Sequence, residues 1–98
     1  MAKIPIKSAK EIELIRESCR IVGEVLTQVG SEIKPGMYAR ELDGMAEEYI
    51  RSNDAVPAFK GYGRDPKNLF PGSLCISIEE EVVHGIPDGR RIQEGQVV

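Results

Sequence analysis

The sequence predicts an α/β (α+β) fold in which two amphipathic helices precede a half built of strands and turns. Three observations carry this. Apolar residues recur at alternating spacings of three and four from Ile12 to Val29, and a second segment of the same kind runs from Leu42 to Ile50. From Ala55 onward the helical period gives way to short alternating runs separated by turn-forming residues.

The first helix is expected over residues 9–29. Ser8 and Glu11 make an S-x-x-E capping box, in which the hydroxyl and the carboxylate each satisfy a backbone N–H of the first turn. Ile12, Ile15, Cys19, Val22, Leu26 and Val29 follow, and Gly30 stands where a helix commonly ends. Lys34-Pro35-Gly36 supplies a turn. Beyond it Leu42, Met45, Ala46, Tyr49 and Ile50 define a shorter helix over residues 40–52. Ala39 occupies a position where Ser or Thr often caps, a difference worth about 1 kcal/mol of helix stability. Both apolar stripes are read as covering one face of a sheet, and neither contains a cofactor box.

In the second half, AVPAFKGYG mixes apolar and small residues, GRDPKNLFPG is rich in turn formers, and LCISI alternates as a strand does. Together they predict a hairpin with a long tip. Three glutamates, Glu79 to Glu81, lead through Val82 and Val83 into His84-Gly85-Ile86-Pro87-Asp88-Gly89, where Pro-Asp-Gly is a strong turn signal. Ile92 and Gln96-Val97-Val98 read as the approach to another strand whose partner lies beyond the last residue. The expectation is therefore one incomplete domain, residues 1–98, belonging to a longer protein. No internal repeat or low-complexity segment interrupts it.

Composition narrows the classes of function. At 98 residues the chain buries only about 60–68% of its unfolded surface, so its core is thin. Hydrophobic residues make up 41% and charged residues 30%, which places it among folding chains rather than disordered ones. Thirteen basic residues stand against sixteen acidic ones, for a net charge of −3, with no basic block and few aromatic side chains. Nucleic acid is not an expected ligand. MAKIPIKSAKEIE lacks the apolar stretch of a secretory signal, and nothing approaches the roughly 20 apolar residues of a membrane span. The cytoplasm is the expected location, without membrane partners. Cys19 and Cys75 lie far apart in sequence and read as reduced thiols, and with one histidine and no C-x-x-C the chain is not expected to build a structural zinc site.

His84 is the only side chain whose ordinary pKa, about 6.5, lets it donate or accept a proton near neutrality. A histidine behind two valines is more often structural than catalytic. The Gly-Ile-Pro that follows shifts the balance, because glycine permits close approach and proline stiffens the turn, so that His84 can point into a cleft. Adjacent carboxylates at 79–81 cannot all face one point and read as a solvated acidic face. Cys75, Tyr62, Phe59 and Phe70 suit a pocket for an unbranched thioether, since sulfur packs well on aromatic edges, yet by composition they are equally a piece of core.

KPGMYARELD (34–43), PAFKGYG (57–63) and FPGSLCISIEEEVVHGIPDG (70–89) together resemble the N-terminal part of a type I methionine aminopeptidase, with similarity from Ile6 to Val98. The resemblance implies the N-terminal half of a pita-bread fold, two helices packed on a curved antiparallel sheet and truncated at the C-terminus. It implies removal of the initiator methionine from nascent proteins whose second residue is small, by metal-dependent peptide hydrolysis, and hence the N-terminal methionine of nascent polypeptides and the ribosome as partners. Two divalent metal ions (Co, Mn, Fe, Zn or Ni) would serve the full-length enzyme, held by two Asp, one His and two Glu that fall after Val98. None would be bound by this stretch alone, which is expected to be inactive by itself. His84 matches the family's catalytic-site histidine, which hydrogen-bonds substrate near the scissile amide; Cys75, Tyr62, Phe59 and Phe70 match the walls of the methionine pocket. Two departures accompany these matches: Gly63 to Gly72 exceeds the usual connection, and Glu79 replaces an Asn found near a monovalent-cation site. The alternatives are a non-catalytic pita-bread relative and a small module that binds a partner through an unpaired strand edge.

Overall fold

The computed structural model describes residues 3–98. Helix α1 spans Ala9–Glu32 and helix α2 spans Ala39–Ser52. The first cap is the expected one: Ser8 Oγ accepts the Glu11 N–H at 3.2 Å and the Glu11 carboxylate accepts the Ser8 N–H at 2.9 Å. α1 continues past Gly30 and stops at Ile33, whose N–H donates to the Val29 carbonyl at 3.0 Å. Pro35 explains the stop better than Gly30 does, because proline drives the residue before it out of the helical region.

At the second helix the cap is Tyr38, not Ala39. Glu41 Oε1 accepts the Tyr38 N–H at 3.1 Å. Ala39 is the first helical residue and is 0% exposed. A small side chain is therefore required there by packing, and the expected loss of a cap at Ala39 does not apply.

Two adjoining clusters form the core. Ile21 and Val25 of α1 meet Ala46 of α2, bordered by Tyr49, Ile50 and Ala55. Ala39 and Leu42 of α2 meet Ile76, Ile78 and Ile92, bordered by Ile33, Met37 and Met45. Val29 and Leu74 touch both clusters. Most of the apolar stripe expected to face inward on α1 is turned away, since Ile12, Ile15, Val22 and Leu26 are exposed, while Val29 at its end packs into the core. Apolar residues occur there in adjacent pairs, Ile21-Val22 and Val25-Leu26, which lie ~100° apart around the axis, and α2 covers the face bearing the first of each pair.

The expected antiparallel sheet is not present among the described residues, which contain no strand and one isolated antiparallel bridge, Tyr38 to Arg91. The alternation in LCISI does direct Ile76 and Ile78 inward. A ladder also needs a neighbouring backbone that keeps pace. Here Ile76 N–H donates to the Gly85 carbonyl at 2.9 Å and Glu79 N–H to the Val97 carbonyl at 2.8 Å, each without a reciprocal bond. Glu79 (φ 57°) and His84 (φ 59°) are both left-handed, which turns the chain out of any regular pairing. The expected hairpin is likewise replaced by a closed loop: Gly61 N–H donates to the Phe70 carbonyl at 2.8 Å and Phe70 N–H to the Tyr62 carbonyl at 2.9 Å. Segment 36–40 is stitched to 88–92 by Gly36 to Ile92 (2.7 Å), Ile92 to Met37 (2.8 Å), Ala39 to Arg90 (3.0 Å) and Arg40 to Asp88 (2.9 Å).

Candidate functional site

His84 is exposed, and its left-handed backbone is one that a bulky residue adopts at a cost of roughly 1–3 kcal/mol. Its neighbour Gly85 is buried and lies flat on residues 76 and 77. A Cβ at Gly85 would fall 2.1 Å from the Ile76 carbonyl oxygen, so only glycine fits. Gly85 also donates its N–H to Ser77 Oγ at 3.1 Å. The histidine is thus presented by a backbone fixed on one side.

Arg90 closes the other side. Its guanidinium binds Glu81 Oε1 at 2.8 Å, Asp88 Oδ1 at 2.7 Å and the Ile86 carbonyl at 3.1 Å, drawing the 81–90 turn into a ring around a depression of about 420 Å³ that His84 lines. Glu81 accepts the Ile78 N–H at 3.0 Å as well. That backbone donor, with Arg90, holds the Glu81 carboxyl below its ordinary range. Arg90 does the same for Asp88 through its guanidinium and its N–H. Both shifts are downward, so the clamp stabilises the fold above the ordinary carboxylate range of about 4 and is lost as pH falls through the lower folded values. Amide protection of Ile78 and Arg90, corrected for intrinsic exchange, should be intact at neutral pH and fall below about pH 4; unchanged protection in acid would contradict the clamp.

A second depression of about 490 Å³ is mostly apolar and lies between α1, the 55–59 segment and residues 73–75. Ile21, Val25, Phe59 and Cys75 are among its lining residues. Of the five residues singled out in the sequence, the structure brings Phe59 and Cys75 together here. Tyr62, 76% exposed, and the half-buried Phe70 sit on the 61–70 loop outside that lining. His84 faces its own depression; the Ile76–Gly85 hydrogen bond nonetheless sets Cys75 and His84 each one residue from a shared contact. Cys19 and Cys75 are both free and exposed.

Glu79 and Glu80 form the solvated acidic face expected of them, whereas Glu81 is drawn inward by Arg90. Neither Arg90 nor Asp43 was legible as part of a site. Asp43 reaches from α2 to accept the N–H groups of Ser73 and Leu74, both at 2.7 Å. Among the described residues no three His, Cys, Asp or Glu side chains converge. With Glu81 and Asp88 engaged by Arg90, the residues present do not fit a two-metal donor set. No helix among the described residues is long and apolar enough to cross a membrane.

Residues 13–98 match the metallopeptidase family M24, and the chain belongs to that family. Its relatives narrow the class. The chain is 45% identical over 96 residues to the methionine aminopeptidase of Clostridium acetobutylicum, covering 97% of this chain and 36% of that protein. It is 41% identical over 92 residues to methionine aminopeptidase 1 of Bacillus subtilis, covering 94% and 35%. The crystal structure of methionine aminopeptidase from Rickettsia prowazekii superimposes with a TM-score of 0.86 at 30% identity, over 96% of this chain and 36% of that one. The chain thus has the fold of one part of a pita-bread enzyme, and spans about a third of the length of the curated relatives it matches.

Proposed function

We propose that residues 1–98 are the N-terminal part of a methionine aminopeptidase catalytic domain and supply its substrate-facing surface. The full-length enzyme would remove the initiator methionine from nascent proteins in the cytoplasm, meeting its substrates at the ribosome. Its two divalent metal ions would be held by residues outside this stretch. His84 would hydrogen-bond the substrate beside the scissile amide and favour the charge that develops on the tetrahedral intermediate. Groups in that role are worth about 2.7–4 kcal/mol of transition-state stabilisation. Phe59 and Cys75 would take the methionine side chain, with Tyr62 and Phe70 brought in by the 61–70 loop.

The observation that carries this reading is a strained, exposed histidine on the unyielding Gly85 backbone, one contact away from an apolar groove with a thiol and an aromatic edge. Strain of this kind collects where geometry serves a function. The test is release of methionine from Met-Ala-Ser by the full-length enzyme. Turnover should require a divalent metal, stop with a chelator, resume on metal addition, and be much slower on Lys-Ala-Ser. Metal-independent release, or equal rates on the two peptides, would overturn the reading.

A further inference from the structure

We propose that Asp43 is a positioning residue for the substrate's methionine side chain. It acts through the backbone that carries Cys75 rather than by touching substrate; the inference rests on the function proposed above. Asp43 lies on α2 directly after Leu42, one of the most deeply buried side chains, so its backbone is fixed by the core. A single oxygen, Oδ1, accepts two successive N–H groups, Ser73 and Leu74, each at 2.7 Å. Short bonds to an ionised acceptor are the stronger kind.

Few other polar contacts fix this segment. Residues 72–75 belong to no strand, and Ser73 Oγ is buried without a partner. Approach of the carboxylate depends on Gly72, where a Cβ would lie 2.9 Å from Asp43 Oδ1 and 2.5 Å from Pro87 Cγ. Helix, groove wall and the turn behind His84 therefore meet at one glycine. Leu74, held by the second bond, packs into both core clusters, and Cys75 follows immediately on the groove. The His84 turn has anchors of its own, in the Gly85–Ile76 bond and the Arg90 clamp. Loss of Asp43 should consequently move the groove wall more than the histidine.

This separation predicts a split between kinetic constants. In the full-length enzyme, Asp43→Ala should raise KM for Met-Ala-Ser about tenfold and leave kcat within about threefold. Asp43→Glu keeps the charge but displaces the oxygen by one methylene. It decides the matter should the alanine variant fail to fold: a raised KM at near wild-type kcat supports the proposal, while wild-type constants, or a fall in kcat at unchanged KM, overturn it. Absence of methionine release by the wild-type enzyme would overturn the functional reading itself. Wild-type turnover with unaltered KM in the variants would remove only the role of Asp43.

Discussion

Replacing His84 by alanine in the full-length enzyme is expected to lower kcat by about 10²–10³ while leaving bound metal and melting temperature near wild type. The imidazole is exposed and hydrogen-bonds none of the described residues, so truncation removes little packing within them. Alanine keeps the Cβ that makes φ 59° costly, so the backbone strain at this position is left in place. On the proposed role, what is lost is a donor to the reacting amide, and an interaction felt mainly in the transition state appears in kcat. Kinetics alone would not separate this role from metal ligation. Metal content measured on the same preparation does: parallel loss of metal would make His84 a ligand, and a large drop in melting temperature would make it structural.

The second large effect is expected at Gly85. A Cβ there would meet the Ile76 carbonyl oxygen at 2.1 Å, the Ile76 carbonyl carbon at 2.7 Å and Ser77 Cα at 2.8 Å. All three are backbone atoms, so no side chain can swing aside. Gly85→Ala must therefore separate residues 76 and 85, at an overpacking cost of about 1–3 kcal/mol. It would also weaken the Ile76 N–H to Gly85 carbonyl bond, adding a further ~1–3 kcal/mol where those groups stay unpaired. Because His84 is the adjacent residue, activity should fall to the level of the His84→Ala enzyme. Gly23 of α1, where an added methyl would have nothing within 4 Å, provides the contrast. Gly23→Ala should stabilise by roughly 0.5–1 kcal/mol through helix propensity alone and leave kcat unchanged. Thermal unfolding and turnover of the two variants check both statements; a Gly85→Ala enzyme with wild-type values would refute the close contact.

What could be read in the sequence was what local chemistry determines. The Ser8–Glu11 box, the lengths of both helices to within a few residues, and the inward alternation of Ile76 and Ile78 all follow from rules that operate over a few neighbouring positions. The face α1 buries did not, because pairs such as Ile21-Val22 make two faces apolar and only the docking of α2 chooses between them. The sheet was not legible either. Alternation specifies which side chains point inward, but a ladder depends on a second backbone, and the left-handed Glu79 and His84 break the register that LCISI begins. In the candidate site, His84 stood out as the lone titratable group near neutrality and as a matching position in a recognisable motif. Arg90 and Asp43 did not, since Arg90 reaches back 9 residues to Glu81 and Asp43 reaches 30–31 residues to Ser73 and Leu74, with no spacing rule to connect them.

The binding of the product tests the central claim most directly, namely that this stretch supplies the substrate-facing surface of a methionine aminopeptidase. A crystal structure of the full-length enzyme with bound methionine should place the thioether against Phe59 and Cys75 and the carboxyl end within hydrogen-bonding distance of the His84 imidazole. Methionine bound with none of these three residues in contact would contradict the account, whatever the enzyme's activity.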